Sequence, residues 1–345
     1  MESALSNKQV IMPKQSKFDR PYRVVIHGLP HFCQKLAALF DCDGWDVRYH
    51  PRSSAADLLS LANDLRRCDL AYTWGGRIDL GKFLWAARCL GPKKLVMLWS
   101  GSDALWAKKD YAADKMHPWV ASKTHWAVSP WIGDEVRSVG LRCEYVQASF
   151  VQRVKNPLPL PAKFSVLAYC PSADKAELYG WEQIVEAAKA LPSIEFRIVG
   201  MRGEEALQAP ENVTIHGWTN DLAAVLQEST VLWRPVQHDG LSFMVLEALS
   251  QGRHVLYSYP LSGCVHTKTS AMAIHELRRL ARLHERQSLG LNTAGLQVIE
   301  NEFSETVVRK NLLARWEAII LSSAGIAHRN AASSSAREVV HRQSI

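Results

Sequence analysis

At 345 residues and a formal net charge of +7, the chain is long enough for two medium-sized domains, each with its own core. Its 47% hydrophobic and 22% charged content is that of a soluble globular protein, and no apolar run nears the roughly 20 residues that span a bilayer. The seven cysteines lie scattered without CxxC or zinc-like spacing, which excludes a disulfide scaffold or zinc module and suits a reducing cytoplasm.

Residues 1–20 lack the apolar core of a secretory signal and read as a polar lead-in. From there strands are expected at 22–27, 46–49, 69–74 and 94–99, and helices at 33–40, 57–65 and 80–90. The leucines at 58, 59, 61 and 65 mark a core-facing helix. A strand at 126–129, a helix at 131–139 and a last strand at 143–147 complete residues 21–155 as a first domain. Strands alternating with helices predict an α/β fold with a parallel sheet covered on both faces. Ligands of such sheets sit beyond the C-terminal ends of the strands. That rule selects Gly28, His31, Gly75, Gly76, Arg77, Ser102 and Asp103 as the rim of a cleft. Taken singly, the glycines also read as turn formers, Asp103 as a helix cap and Arg77 as a surface charge.

Lys155 to Pro161 is proline-rich and marks the boundary to a second domain over 156–303. Strands are expected at 164–169, 195–200 and 213–218, with helices at 182–191 and 222–228. Residues 263–296 are less legible, with basic, heptad-like stretches around 275–280. A long amphipathic helix over 304–321 is expected to pack back across the domain junction, and 322–345 to be a flexible tail.

The stretch from His238 to Gly252, HDGLSFMVLEALSQG, lies between two apolar strands at 231–236 and 254–258. Phe243, Leu246, Glu247, Leu249 and Ser250 follow a helical rhythm, and Gly252 falls at the C-cap, so the unit is strand, loop, helix, strand. Asp239 stands at the helix entrance and Glu247 two turns further on. Gly240 lets a ligand approach the backbone, and the amides from Leu241 to Met244 offer a helix N-terminus to an anion. An anion seat between two carboxylates suits a sugar diphosphate joined to a ribose. From spacing alone, Asp239 as a helix cap and Glu247 as a solvated residue fit as well.

A carboxylate, seven residues, then Glu-Ala-Leu-x-x-Gly before an apolar strand resembles the donor-site motif of retaining GT-B glycosyltransferases, family 4 (group 1) in particular. The resemblance implies two Rossmann-like domains facing a cleft, with the acceptor on the first and a nucleotide sugar on the second. It implies that Asp239 contacts the transferred sugar, Glu247 holds the ribose, and Gly240, Leu241, Ser242, Phe243 and Met244 bind the diphosphate. Trp126-Ala127-Val128-Ser129 resembles the end of the family's first domain. Trp119, Trp126 and Trp131 are acceptor candidates, with Trp126 expected in the core and Trp131 nearer the cleft. Gly28-Leu29-Pro30 replaces the paired glycines that many members carry after the first strand.

One departure concerns charge. Where the family has Arg and Lys to clamp the diphosphate, this chain has Tyr169-Cys170-Pro171 and Tyr179-Gly180, and a tyrosine hydroxyl cannot neutralise a phosphate. Lys175, Arg202 or Arg234 is expected to supply the charge, with Lys175 best placed. The implied activity is metal-independent hexosyl transfer from a nucleoside diphosphate sugar, a co-substrate rather than a cofactor, to a carbohydrate or lipid-linked hydroxyl, with retention, in polysaccharide or glycoconjugate synthesis. A non-catalytic GT-B-like binding or scaffold protein is the alternative, and an epimerase of the same fold fits less well. The basic balance admits weak contact with the inner membrane face. No RNA-binding signature, zinc finger or helix-turn-helix pattern speaks for nucleic acid.

Overall fold

The computed structural model describes residues 20–51, 54–92, 94–201 and 207–322. The expected lead-in and tail lie outside these residues, apart from positions 20 and 322, and so does Arg202.

The first domain runs β1 (Tyr22–Gly28), α1 (Pro30–Phe40), β2 (Trp45–Tyr49), α2 (Ala55–Arg67), β3 (Leu70–Trp74), α3 (Lys82–Leu90) and β4 (Leu95–Trp99). It continues with α4 (Ser102–Ala112), α5 (Pro118–Ala121), β5 (Thr124–Ala127), α6 (Pro130–Ser138) and β6 (Cys143–Tyr145). The second begins with β7 (Ser165–Cys170), α7 (Trp181–Ala190), β8 (Glu195–Gly200), β9 (Val213–Gly217) and α8 (Leu222–Gln227). After these come β10 (Val231–Arg234), α9 (Phe243–Ser250), β11 (His254–Tyr257), β12 (Val265–His266), α10 (Ser270–Glu285), α11 (Thr293–Val298) and α12 (Glu305–Leu321).

Each domain holds one six-stranded sheet, and every strand pair in both is parallel. The first sheet has the order β2-β1-β3-β4-β5-β6 and the second β12-β11-β10-β7-β8-β9. Chain direction across the sheet therefore reverses between β1 and β3, and again between β7 and β10. Those switch points are where crevices open at the strand ends. β3, β4 and β10 are buried at every position, as apolar runs covered by helices on both faces must be.

Two local differences from the sequence reading have simple causes. α1 starts at Pro30 rather than at residue 33, because a proline at the first helical position lacks only an amide that would have no partner there. α4 was not expected, since it buries Asp103, Ala104 and Ala107 and leaves Leu105 and Trp106 exposed, so no apolar stripe announces it.

After the second sheet the chain crosses back, and α12 lies on the first domain. Val308, Leu312, Trp316 and Ile320, four residues apart, form its buried stripe. The Trp316 ring sits 5.2 Å from that of Phe40 and 5.1 Å from that of Tyr72. Lys94 donates to the carbonyls of Ile320 and Ser322, and Arg315 pairs with Glu144 at 2.7 Å. The proline-rich connection is also tied down, because Arg253 donates to the carbonyls of Leu158 (2.8 Å) and Pro159 (3.1 Å).

Trp316 is fully buried among aromatic rings, so Trp316→Ala leaves a cavity that its neighbours cannot fill. The expected loss is about 3–5 kcal/mol in denaturant unfolding. A loss below about 1 kcal/mol would show that α12 is not held on the first domain by this stripe.

Candidate active site

The second switch point places the end of β7 beside the end of β10. Arg234, the last residue of β10, donates from Nε to Asp239 Oδ2 at 2.6 Å. The same oxygen accepts from Tyr257 Oη at 3.0 Å, and Asp239 Oδ1 accepts from the Gly240 amide at 3.1 Å. Arg234 is 9% exposed, and its guanidinium lies 5.5 Å from the Tyr179 ring and 5.9 Å from the Tyr169 ring. Burial works against its charge, but the Asp239 carboxylate outweighs it and holds the guanidinium protonated. Burial and the same carboxylate push the Tyr257 hydroxyl well above its ordinary range.

Two residues selected as separate actors are thus each other's partners. Asp239 does not stand free at the helix entrance. Its carboxylate is engaged on both oxygens, and much of Arg234's charge is answered within the protein. Nη1 and Nη2 of Arg234 carry no hydrogen bond to a described residue, so its donor edge remains while its net charge is offset. Lys175, expected to be the best-placed cation, is exposed on a 3-10 turn and is no wall of the cleft. The reason is local: Ala176 turns into the core, which points its neighbour to solvent.

α9 opens with Ser242 as N-cap, its hydroxyl accepting from the Val245 amide. The amides of the first turn have no preceding helical carbonyl and face outward from the helix start. Glu247, two turns in, lies on the cleft wall. Among the described residues its carboxylate has no hydrogen-bond partner, and burial raises its pKa against the opposing pull of Lys35. Lys35, on α1, shares with Glu247 the wall of an adjoining cavity of 730 Å³. Nothing in the local sequence pattern marks Lys35, which reaches Glu247 only across the domain seam.

The seam is close. A Cβ on Gly240 would stand 1.7 Å from the Ser100 carbonyl oxygen, so here the partner that needs a glycine is the first domain, not a ligand. Phe243 stacks on Phe32 with centroids 4.9 Å apart, and Phe32 in turn stacks on Trp74 at 5.4 Å. Trp131 donates from Nε1 to the Asp239 carbonyl at 2.8 Å and stacks on Tyr259. His238 meets Glu135 at 3.2 Å, and Lys108 reaches the same carboxylate at 3.2 Å. Trp126, in contrast, is core.

Between the domains lies a cleft of 590 Å³. Its walls include Tyr179, Arg234, Asp239 and Glu247, all of Gly240 to Met244, and Trp218, which is 67% exposed. Trp218 was missed from the sequence, although its place just past the end of β9 was the available signal. A second cavity, of 860 Å³, sits at the first switch point. Gly28, Gly75, Gly76, Arg77, Ser102 and Asp103 line it, and Leu29, Trp74, Ser100 and Ser102 line both.

Two rim residues do otherwise than expected. His31 is exposed on the first turn of α1 and lines neither cavity, because Phe32 takes the inward direction. Asp103 is buried and accepts from the amides of Gly76 (2.7 Å), Ser100 (2.9 Å), Gly101 (2.7 Å) and Ala104 (3.0 Å). Burial raises its pKa more than those bonds lower it, and its work is to shape two loops. Among the described residues no group of three or more His, Cys, Asp or Glu could hold a metal ion, and no helix is long and apolar enough to cross a membrane.

The family profile described as "Glycosyl transferases group 1" matches residues 168–274, which hold the Arg234–Asp239 pair and Glu247. No curated protein matches the chain by sequence. Among solved structures the chain is similar to a glycosyltransferase from Rickettsia africae ESF-5 (TM-score 0.62, 11% identity, 89% of this chain and 100% of that one). It is also similar to the sucrose-phosphate synthase of Thermosynechococcus elongatus (TM-score 0.62, 12% identity, 88% and 100%). A mutant of S. aureus TarM in complex with fondaparinux, alpha-GlcNAc-glycerol and UDP gives a TM-score of 0.54 at 11% identity. That likeness covers 77% of this chain and 59% of TarM, so the chain spans less than two thirds of TarM's length. The fold is GT-B: two facing α/β domains, each on a parallel sheet.

Removing one half of a buried pair leaves the other charge uncompensated. Arg234→Met is expected to cost about 3–5 kcal/mol in urea unfolding, and adding Asp239→Asn to recover most of it. Equal stability of the single variant and the wild type would mean the pair is solvated.

Proposed function

We propose that the chain transfers a hexosyl unit from a nucleoside diphosphate sugar to a hydroxyl acceptor, with retention at the anomeric carbon. The observation that carries this reading is Glu247. A carboxylate raised by burial and unpartnered among the described residues stands two turns behind the open N-terminus of α9, on the wall of the interdomain cleft. An unpaired half-buried acceptor is costly unless something donates to it, and two ribose hydroxyls would.

In this reading the diphosphate rests on the first-turn amides of α9, whose helix dipole favours an anion. The Nη atoms of Arg234 donate to it, held in place by Asp239 through Nε. Trp218 offers a flat exposed face to the base. The bond from the anomeric carbon to the diphosphate oxygen breaks while the acceptor oxygen bonds to the same carbon on the same face. The acceptor's hydroxyl proton passes to the departing phosphate oxygen. The protein's part is positioning and electrostatic stabilisation, with no metal or cofactor called on. The acceptor is a carbohydrate or a lipid-linked sugar, and the product belongs to polysaccharide or glycoconjugate synthesis.

A second reading, a GT-B-fold protein that binds a nucleotide sugar without turning it over, is favoured by one observation. Tyr169 and Tyr179 stand at the clamp positions, and Arg234 beside them is largely neutralised by Asp239. Turnover separates the two readings.

The first test is thermal stabilisation by UDP-glucose, UDP-N-acetylglucosamine, GDP-mannose and ADP-glucose, followed by release of the nucleotide. A ligand at 100 times its Kd stabilises the folded state by about 2.7 kcal/mol. Stabilisation with nucleotide release is the expected outcome, and release should persist in EDTA. Stabilisation without release leaves the binding protein, and no stabilisation by any of the four sinks both readings.

The second test uses the pH dependence of Glu247. Its folded pKa is raised, so as pH climbs the unfolded chain releases this proton first and the native state holds more protons. Stability therefore falls with pH from the ordinary glutamate value until the folded pKa is passed. Glu247→Gln is expected to remove that fall and raise the melting temperature of the empty protein near neutral pH. The same variant should weaken UDP binding roughly tenfold or more, the loss of a charge-assisted hydrogen bond. Unchanged UDP affinity in the folded variant would take the ribose role away from Glu247.

A further inference from the structure

A nucleoside diphosphate sugar is a linear ligand, and its parts take their places along the donor cleft in order. With the ribose at Glu247 and the diphosphate on the first turn of α9, the sugar lies beyond the helix start. There the walls are His238, Asp239 and Gly240 on one side and Ser100, Gly101 and Ser102 on the other. Asp239, the carboxylate that the family resemblance assigns to the sugar, is engaged on both oxygens by Arg234, Tyr257 and the Gly240 amide. Beside it on the same wall stands His238, to which the transfer chemistry gives no part.

His238 is held firmly in place. On one side of it the Gln237 amide donates to the Leu178 carbonyl at 2.9 Å, and the Gln237 carbonyl accepts from Tyr259 Oη at 3.0 Å. On the other side Trp131 donates to the Asp239 carbonyl at 2.8 Å. The imidazole has Nε2 within 3.2 Å of both Glu135 oxygens, and its side chain is 12% exposed. Trp131 and Glu135 lie one turn apart on α6, so one face of a first-domain helix grips two successive residues of the second domain.

That grip also sets the state of the ring. Glu135 accepts from Lys108 at 3.2 Å as well. Burial opposes its ionisation, but His238 and Lys108 outweigh burial and hold its pKa below the ordinary glutamate value. An ionised carboxylate only accepts, so the proton between it and the ring belongs to Nε2. The lone pair of the neutral imidazole then resides on Nδ1, which has no hydrogen bond to a described residue. Glu135 stands back from the cleft, whereas His238 forms part of its wall. The cleft therefore meets a ring whose tautomer and orientation are fixed from behind.

We propose that His238 selects the transferred sugar: Nδ1 accepts a hydrogen bond from one of its hydroxyls, in the place that Asp239 gives up by pairing with Arg234. Glu135 and Lys108 act through it as positioning residues. Because they belong to the first domain, the sugar contact is complete only while the domains are closed. An acceptor-only nitrogen favours a hydroxyl and disfavours any group that cannot donate. The proposal rests on the reading of the cleft as the nucleotide-sugar site, so its test separates the sugar from the nucleotide. The full chain is titrated calorimetrically with UDP-glucose, UDP-N-acetylglucosamine, GDP-mannose and ADP-glucose, and with UDP, GDP and ADP. Asparagine sets its amide near the place of Nδ1 and glutamine near that of Nε2. His238→Asn thus keeps an acceptor for the sugar and gives up Glu135, and His238→Gln does the reverse.

For whichever nucleotide sugar binds best, His238→Gln is expected to weaken it about tenfold and His238→Asn no more than about threefold. The matching diphosphate should keep its affinity in both. Glu135→Gln, which preserves size and can still accept, is expected to weaken the nucleotide sugar a few-fold, and it carries the test alone if the His238 variants do not fold. Full affinity in His238→Gln overturns the proposal, because His238 then only joins the domains. So does an equal loss in the Asn and Gln variants, a matching loss of the bare diphosphate, or unchanged affinity in Glu135→Gln. Diphosphate binding by the wild type leaves the donor reading standing through any of these failures, and no binding of any nucleotide overturns both.

Discussion

The interaction on which the rest of this molecule turns is the buried contact between Arg234 and Asp239. Neither charge is tolerable alone at that depth, and five residues of loop must close so that Nε meets Oδ2 at 2.6 Å. Tyr257 from the neighbouring strand fixes the same oxygen, and Trp131 from the other domain fixes the Asp239 carbonyl. The loop from β10 to α9 is therefore held from both sides of the cleft, and the start of α9 is aimed by contacts that are not its own. A helix N-terminus can bind an anion only as well as it is positioned, so this pair governs the site without having to touch a ligand.

The seam between the domains is built from three kinds of contact. Backbone meets backbone where the Ser100 carbonyl approaches Gly240, rings stack where Phe32 meets Phe243, and charge meets charge where Glu135 faces His238 and Lys108. The first demands a missing side chain, the second excludes water and the third stays near the surface. Together they leave a cleft that is narrow at Gly240 and open on either side, toward Glu247 in one direction and toward the first-domain cavity in the other. The return of α12 to the first sheet closes the chain on itself, with the fully buried Trp316 set against Phe40 and Tyr72. Relative movement of the domains must therefore accommodate two covalent crossings, not one.

Much of the architecture was legible in the sequence because it depends on neighbours along the chain. Apolar runs such as LAYTW and LVMLW make buried parallel strands, and the alternation with helices orders them into sheets. The interval from Asp239 to Glu247 put one carboxylate at a helix entrance and the other two turns in, since helical rise and twist are local quantities. The failures were local as well. α4 carries no apolar stripe, and Pro30 begins a helix that looked as if it should start three residues later.

Which groups remain available for chemistry was decided only by the tertiary structure. Asp239 and Glu247 look alike in sequence, yet one is bound on both carboxylate oxygens and the other has no partner among the described residues. Lys175 looked better placed than Arg234 to meet a phosphate, yet Arg234 lines the cleft, buried against a carboxylate, and Lys175 faces solvent. Gly240 suggested room for a ligand, and the Ser100 carbonyl takes that room. The physical reason is that desolvation and pairing are set by atoms within a few ångströms, and those atoms come from residues far off along the chain, as Ser100 does to Gly240 and Lys35 to Glu247. Sequence spacing orders the parts along each element; only the packing of one domain on the other determines which charge is offset and which is left to bind.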